Sequence, residues 1–317
     1  MISGAPITVL SLHPTRDVIL DVPNLALGEV NRAQEWFSYP AGKALNVART
    51  VGMLGGRAEA ILFAPPHWAG LLKDFLGKYS VSFSHIPVEG EGRVCVMLDE
   101  GGRETTINTD LRMHPRPSQL RELFRLLWKA ARGGGFVVAS GSLPPTMSDS
   151  RFRALLRTAG GAEARLVLDV SGARLRAGIN HRPWLIKPNK SEFQALVGRR
   201  PGSLPALVSA ARELHARGVG RVLLSLGDEG CLLASPAGDW FAPAVPGRSP
   251  VTSPIGCGDA LLGGFLRVAA AGGDEAEALR WGVAAAAANF RRPGACLMTA
   301  AEVRSFLPRI RVKRMSQ

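Results

Sequence analysis

The sequence is poor in cysteine, with only Cys95, Cys231, Cys257 and Cys296 scattered through 317 residues. No CxxC pair occurs and none of the six histidines clusters with a cysteine, which excludes a disulfide framework and a structural zinc site. Long apolar runs are also missing. The longest, near Val283 to Ala288, is far short of the ~20 residues that cross a bilayer, so no membrane partner is expected. The opening segment, MISGAPITVLSLHPTRD, has neither the basic start nor the apolar stretch of a secretion signal. A reducing cytoplasm is the expected location. Acidic residues are scarce: 26 Asp and Glu stand against 39 Lys and Arg, a net charge of +13. Thirty-two of those 39 are arginine, thinly spread from Arg16 to Arg314 and densest in the tail PRIRVKRMSQ. Aromatics make up 6% of the chain and do not interleave with basic runs, so no stacking platform for a nucleic acid is expected. Two nucleotide fingerprints are absent. Lys43 is followed by Ala44 and Lys78 by Tyr79, so no G-x-x-x-x-G-K-[ST] exists, and no G-x-G-x-x-G follows a strand.

What is present is an apolar fraction of 46%, ample for a core. From about Phe136 the chain alternates between short apolar runs and helical stretches. FVVASG (136–141), RLVLDVSG (165–172), WLIKPN (184–189) and RVLLSLG (221–227) read as strands. Helices are expected over 149–159, 191–198, 205–217, from Gly258 to about Ala271, and from Asp274 to Arg291, with a hairpin around Ala237-Gly238. This alternation predicts an α/β fold: a mostly parallel central sheet with helices on both faces. The N-terminal third adds the strand ITVLSL (7–12) and the helical AGKALNVARTVGMLGG (41–56). It also has β-like stretches over 17–39, interrupted by Pro23, Gly28 and Asn31, and over 93–108, turning at Gly101-Gly102. One domain spanning 1–317 is expected, with a small β-sheet assembled from insertions at about 13–40 and 93–110.

Four stretches can carry chemistry. In VTSPIGCGDALLGGF (251–265), Gly256, Cys257 and Gly258 precede a helix expected to begin at Asp259. Glycines there let backbone N–H groups converge, and the helix N-terminus adds positive potential suited to an anionic phosphoryl group. A carboxylate at that point can accept a hydroxyl proton; equally, it can be a helix cap. In SLGDEGCLL (225–233), a glycine-bounded turn from Gly227 to Gly230 suits phosphates or an ordinary hairpin. IKPNKSEF (186–193) sets Lys187, Asn189 and Glu192 at a strand-to-helix junction. There Asn189 and Glu192 can hold Mg²⁺ through water or simply cap a helix. PAGKALN (40–46) puts Lys43 at a helix start beside Gly42, with Asn46 one turn on.

In this order the stretches resemble the PfkB/ribokinase-like carbohydrate kinases, specifically the phosphosugar branch of 1-phosphofructokinase, 6-phosphofructokinase and tagatose-6-phosphate kinase. The resemblance covers about Ile7 to Pro308 and includes SLHPTRD (11–17), VPNLALGEVNRA (22–33) as a lid strand, PAGKALNVART and SGSLPP (140–145). KPNKSE, SLGDEG and SPIGCGDALLGGF complete it. It implies a ribokinase-like fold and ATP-dependent phosphorylation of a ketohexose phosphate. Asp259 would be the base and Gly256, Cys257 and Gly258 the anion hole. Asp17, Gly42, Lys43, Asn46 and Arg93 would hold the phosphosugar. Lys187, Asn189, Glu192, Ser225, Gly227 and Gly230 would serve ATP, with Mg²⁺ reached by Asn189 and Glu192 through water. The resemblance also implies a homodimer through the lid and admits a monovalent cation. Three departures from the branch occur, at four positions: His13 replaces Asn, Ala41 and Ala44 flank Gly42-Lys43, and Cys257 replaces Ala. Ala44 adds a methyl where the backbone approaches the sugar, which keeps open a second reading, a non-catalytic sugar-phosphate or nucleotide binder.

Overall fold

A computed structural model describes residues 4–101, 103–109, 113–161, 163–245 and 253–315. Gly102 of the expected turn, the end of the 93–110 insertion, and residues 251 and 252 of the glycine motif lie outside these. In chain order the strands are β1 (Ile7–Ser11), β2 (Thr15–Asp21), β3 (Glu35–Ala41), β4 (Ala58–Ala64), β5 (Val81–Pro87), β6 (Arg93–Asp99), β7 (Glu104–Asn108), β8 (Phe136–Ser140), β9 (Arg165–Asp169), β10 (Leu185–Ile186), β11 (Val222–Ser225), β12 (Cys231–Ser235), β13 (Gly238–Ala242) and β14 (Lys313–Arg314). The α-helices are α1 (Lys43–Met53), α2 (Ala69–Gly77), α3 (Pro117–Arg132), α4 (Asp149–Gly160), α5 (Gly172–Gly178), α6 (Lys190–Val197), α7 (Leu204–Ala216), α8 (Cys257–Ala270), α9 (Glu275–Asn289) and α10 (Ala300–Phe306).

Among the described residues, ten strands form the main sheet in the order β14-β13-β12-β11-β10-β9-β8-β1-β4-β5. From β11 to β5 all neighbours are parallel, and β12 to β14 add an antiparallel edge. Its strands are nearly continuous apolar runs because both faces are covered. Ile7, Val9 and Val138 face a core shared with α1, α8 and α9. Leu10, Val137 and Leu168 face the opposite core with α3, α4 and α7. A second sheet, ordered β3-β2-β6-β7, buries Ile19, Tyr39, Cys95 and Met97 against Phe75, Ile255 and Leu297.

The structure differs from the expectations in three places. Residues 22–33 form turns and loop, not a strand. Pro23 offers no N–H for a ladder, and Asn31 bonds locally to Ala26 and Glu29 instead. Helix α5 occupies the gap between two expected strands; seven residues with a glycine at each end give little periodic signal. Helix α8 begins at Cys257 with Gly256 as its N-cap, so Asp259 sits inside the first turn rather than capping it.

Helix α1 is buried on all sides, from Ala44 to Gly52, because α8 covers the face turned away from the sheet. The two helices touch at Gly263, where a Cβ would lie 2.5 Å from Thr50 Cβ. Gly263→Ala should therefore force α1 and α8 apart and cost about 1–3 kcal/mol, read as a lower urea midpoint at unchanged m-value.

Candidate active site

Parallel α/β sheets present their ligand-binding groups at the carboxyl ends of the strands. Here β1 ends at Ser11, β8 at Ser140, β9 at Asp169 and β11 at Ser225, while Lys187 follows directly on β10. A cavity of about 370 Å³ opens over these ends, lined among others by Gly42, Lys43, Arg93, Ser140, Asp169 and Arg174. Three cationic side chains thus share one hollow. Arg93 donates from Nη1 to Ser142 Oγ at 3.0 Å, and that hydroxyl lies 3.4 Å from His13 Nδ1.

Beneath the cavity lie the buried charges. Lys187 Nζ is 3.1 Å from Asp169 Oδ1, with both side chains almost fully buried, and Ser140 Oγ donates to Asp169 Oδ2 at 2.9 Å. Burial alone would raise the pKa of Asp169, but Lys187, Lys43 and the Ser140 hydroxyl hold it below the usual carboxylate range. Burial likewise opposes the charge on Lys187, yet Asp169 and Asp259 keep its pKa above the ordinary value. Asp259 is 6% exposed. Its Oδ2 accepts from Asn46 Nδ2 at 2.8 Å. Burial, reinforced by the charge of Asp169, pushes its pKa up to about 6, against the Asn46 hydrogen bond and the charges of Lys187 and Lys43. Asp259 does not line the cavity itself, whereas Lys43 and Asp169, both of which act on it, do.

The glycine nest needs its first glycine. Gly256 has φ +76°, and a Cβ there would meet Ala295 Cβ at 2.7 Å. The Cys257 N–H turns back to the Pro254 carbonyl at 3.3 Å, leaving the N–H groups of Gly258 and Asp259 as the open donors of the first turn. Cys257 directs its thiol at the carbonyls of Ser253 and Ala286, and burial pushes its pKa up to about 11. The side chain therefore replaces Ala without entering the nest. Ala44 has ordinary helical backbone and is 2% exposed; it packs in the core and also forms part of the cavity wall beside Gly42 and Lys43.

Asp17 is buried on β2 beside the cavity rather than lining it. Its Oδ1 accepts from Thr15 Oγ1 at 2.7 Å, and burial pushes its pKa up to about 6. On the other side, Asn189 and Glu192 form a reciprocal capping box at the start of α6. Asn189 Oδ1 accepts from the Glu192 N–H and Glu192 Oε2 from the Asn189 N–H, each at 2.9 Å. A β-bridge joins Asn189 to Ser225, bringing this junction to the turn from Gly227 to Gly230. Glu229 of that turn is tied to Lys190 by an ion pair. None of these residues lines the large cavity; Glu192 faces a smaller hollow of about 220 Å³ against α5.

Several residues of the site carried no role in the sequence. Asp169 closes an apolar strand run, a position that in a parallel sheet signals a ligand site. Ser140 and Ser142 stand in the quoted SGSLPP, while Arg174, on the unforeseen α5, gave no signal.

Residues 9–301 match the family described as pfkB family carbohydrate kinase. The chain belongs to the pfkB family of carbohydrate kinases. It is 28% identical over 312 residues to 1-phosphofructokinase of Bacillus subtilis, covering 98% of this chain and all of that protein. It is 30% identical over 261 residues to 1-phosphofructokinase of Xanthomonas campestris, covering 81% of each. Phosphofructokinase-2 of Escherichia coli, crystallised with substrates and products, superposes with a TM-score of 0.87 at 26% identity, covering 96% of this chain and 99% of that one. The fold is therefore the ribokinase-like one, and this pfkB kinase places its signature motifs around the strand ends described above.

Among the described residues, no helix is long and apolar enough to cross a membrane. Asp169→Asn would remove the only ion-pair partner of buried Lys187 among the described residues, leaving the more distant Asp259 to balance it. We expect a loss of about 3–5 kcal/mol in urea unfolding, whereas Lys187→Met, which leaves the carboxyl free to protonate, should cost less.

Proposed function

We propose that this kinase transfers the γ-phosphoryl group of ATP to a primary hydroxyl of a phosphorylated ketohexose, with Asp259 as the base. The observation that carries this reading is the buried Asp259 carboxylate. Asn46 fixes one oxygen, it sits in the first turn of α8, and it faces the Lys43–Asp169 wall of a cationic cavity. Binding alone requires no such base.

In this reading Arg93, Lys43 and Arg174 receive the sugar phosphate, while Gly42, Asp17 and Asn46 orient the hydroxyls. The second oxygen of Asp259 accepts the proton of the attacking hydroxyl as that oxygen becomes nucleophilic. The N–H groups of Gly258 and Asp259, aided by the helix dipole, meet the charge that builds on the transferred group. Lys187, held by Asp169, adds a fixed positive charge beside Gly258; its Nζ is 3.1 Å from where a Cβ on that glycine would stand. Gly256 and Cys257 shape the turn. Ser225, Gly227 and Gly230 contact the nucleotide. MgATP supplies the phosphoryl group with its charge partly neutralised. No group of three or more His, Cys, Asp or Glu able to hold a metal exists among the described residues. A Mg²⁺ would be held by phosphates and water, which the free Glu192 Oε1 would reach, while Asn189 Oδ1, taken by the Glu192 N–H and the Ser191 hydroxyl, would position Glu192. A monovalent cation belongs to the same reading, since Escherichia coli phosphofructokinase-2 has been crystallised with potassium.

The small sheet acts as a lid over the sugar, and as a clasp between two copies of the chain. Its edge strands expose Trp36 (64%) and Ile107 (54%), and the β2–β3 loop exposes Leu27 (90%) and Val30 (83%). Apolar groups on unpaired sheet edges favour association. All four cysteines are free thiols, which suits the cytoplasm.

The deciding assay is ADP release with fructose 1-phosphate, fructose 6-phosphate and tagatose 6-phosphate, with fructose and a nucleoside as controls. Fructose 1-phosphate is the first candidate because the curated relatives are 1-phosphofructokinases. Turnover of none of the three would overturn the proposal. Asp259→Asn should fold normally and lose roughly 10²–10⁴-fold in kcat. Since only the ionised carboxylate accepts a proton, kcat should rise with pH through an apparent pKa of about 6 and fall away below it. Trp36→Glu should shift the sedimentation coefficient to that of a monomer.

A further inference from the structure

Arg49 is 0% exposed, in the middle of α1. A guanidinium is charged at any working pH and has no acceptor atom. None of the ion pairs among the described residues includes it. Taking such a charge out of water costs several kcal/mol unless something compensates. Its compensation here is unusual. Nη2 donates to Asn46 Oδ1 at 2.7 Å and to the Ala295 carbonyl at 2.6 Å. The guanidinium also lies over the rings of Tyr39, Phe75 and Tyr79 at 4.9, 5.0 and 5.8 Å from their centroids. Nε and Nη1 have no hydrogen-bond partner among the described residues. Packing alone would be served by a methionine or leucine, with no desolvation cost.

We propose that Arg49 is a positioning residue for phosphoryl transfer: it fixes the orientation of the Asn46 amide, and through it the rotamer of Asp259. A carboxamide has two faces, an acceptor oxygen and a donor NH₂, which a flip about its terminal bond exchanges. With Arg49 on one side and Asp259 on the other, only one orientation is attractive. Oδ1 must face the guanidinium, so Nδ2 faces Asp259 and donates to Oδ2 at 2.8 Å. The flipped amide would set NH₂ against N–H donors and oxygen against carboxylate. One oxygen of Asp259 is thereby pinned, and Oδ1 is presented to the substrate hydroxyl. The same guanidinium reaches the lid: Tyr39, on β3, stacks against it and accepts at its hydroxyl from the Ala295 N–H at 3.1 Å. Both groups of Ala295 are thus held, one by the lid and one by Arg49, next to Gly256.

Asp259 is also faced by Lys43 from α1, by Asp169 at the end of β9, by Lys187 after β10, and by the thiols of Cys257 and Cys296. Of these groups Arg49 acts on Cys296, and it also lowers the pKa of Asp17 on β2; Lys43, Asp169 and Lys187 stay in place when it is removed. Its removal frees the Asn46 amide to turn, so the hydrogen bond that favours the ionised carboxylate weakens. The acid limb of kcat should then move to higher pH.

This inference rests on the kinase reading, with Asp259 as base. Its test is a double-mutant cycle on kcat in the full-length enzyme with R49M, N46A and R49M/N46A, using whichever sugar phosphate the wild type turns over. Each single variant should lose about 10- to 100-fold in kcat, as expected when a reacting group is misplaced. The double variant should be no slower than N46A, because both substitutions break one path. The acid limb should shift upward in R49M and N46A alike. Losses that multiply in the double variant, or an acid limb left in place in R49M, would overturn the inference. If R49M does not fold, R49K takes its place. A loss seen beside Asn46 and absent in the N46A background supports the proposal; an equal loss in both backgrounds, or none, overturns it. A wild type inactive on all three sugar phosphates removes the kinase reading itself, and this inference with it.

Discussion

The buried pair of Asp169 and Lys187 is the constraint around which the site is arranged. Each charge is tolerated at the floor of the strand ends chiefly because the other stands 3.1 Å away, with Lys43 and Ser140 supporting Asp169 and Asp259 supporting Lys187. The pair fixes the ends of β9 and β10 relative to each other, and Ser140 extends the hold to β8. It also gives Asp259 two neighbours of opposite sign. Asp169 raises the affinity of that carboxyl for a proton, Lys187 lowers it, and burial tips the outcome towards a weak acid. A carboxyl poised in this way is a better proton acceptor near neutrality than an exposed aspartate.

Much of the main sheet was legible because a strand covered on both faces leaves an uninterrupted apolar run between glycine-rich turns. FVVAS, RLVLD and VLLS all appear where their composition puts them. Short or irregular pieces were not legible. Residues 22–33 alternate in apolar character like a strand, yet Pro23 and the local bonds of Asn31 turn them into a loop. The site divides in the same way. Neighbours within one motif, such as Asn189 and Glu192, could be set beside each other because spacing along the chain places them, and they meet as a capping box; Lys43 lines the cavity. Asn46 and Asp259 are 213 positions apart, and only the packing of α1 on α8 shows that one holds the other. Arg49 carried no signal of its own within PAGKALNVART, because its burial depends on α8 covering the far side of α1.

The excess of arginine over lysine also takes on a physical sense. Several guanidiniums sit over aromatic rings: Arg165 over Phe136, Arg221 over Trp184, Arg132 over Trp128, and Arg291 and Arg309 over Phe306. Such contact suits a planar, weakly hydrated cation and not an ammonium. Part of the +13 charge is therefore spent covering apolar rims. The share left over the cavity, from Arg93, Arg174 and Lys43, is the part that can draw anionic ligands to one mouth.

The contact of α1 with α8 through Gly263 and Thr50 bears on motion as well as on packing. Two helices locked at backbone distance cannot slide independently, so their amides should exchange with solvent as one cooperative block, close to the limit of global unfolding. Under the proposed kinase reading, the groups that move to admit and release two ligands would belong to the other side of the cavity, where the small sheet meets the main body through Phe75, Ile255 and Leu297 and through the contacts of Tyr39 with Arg49 and Ala295. The floor that carries Asn46 and Asp259 would then be the stator, and the small sheet the moving part.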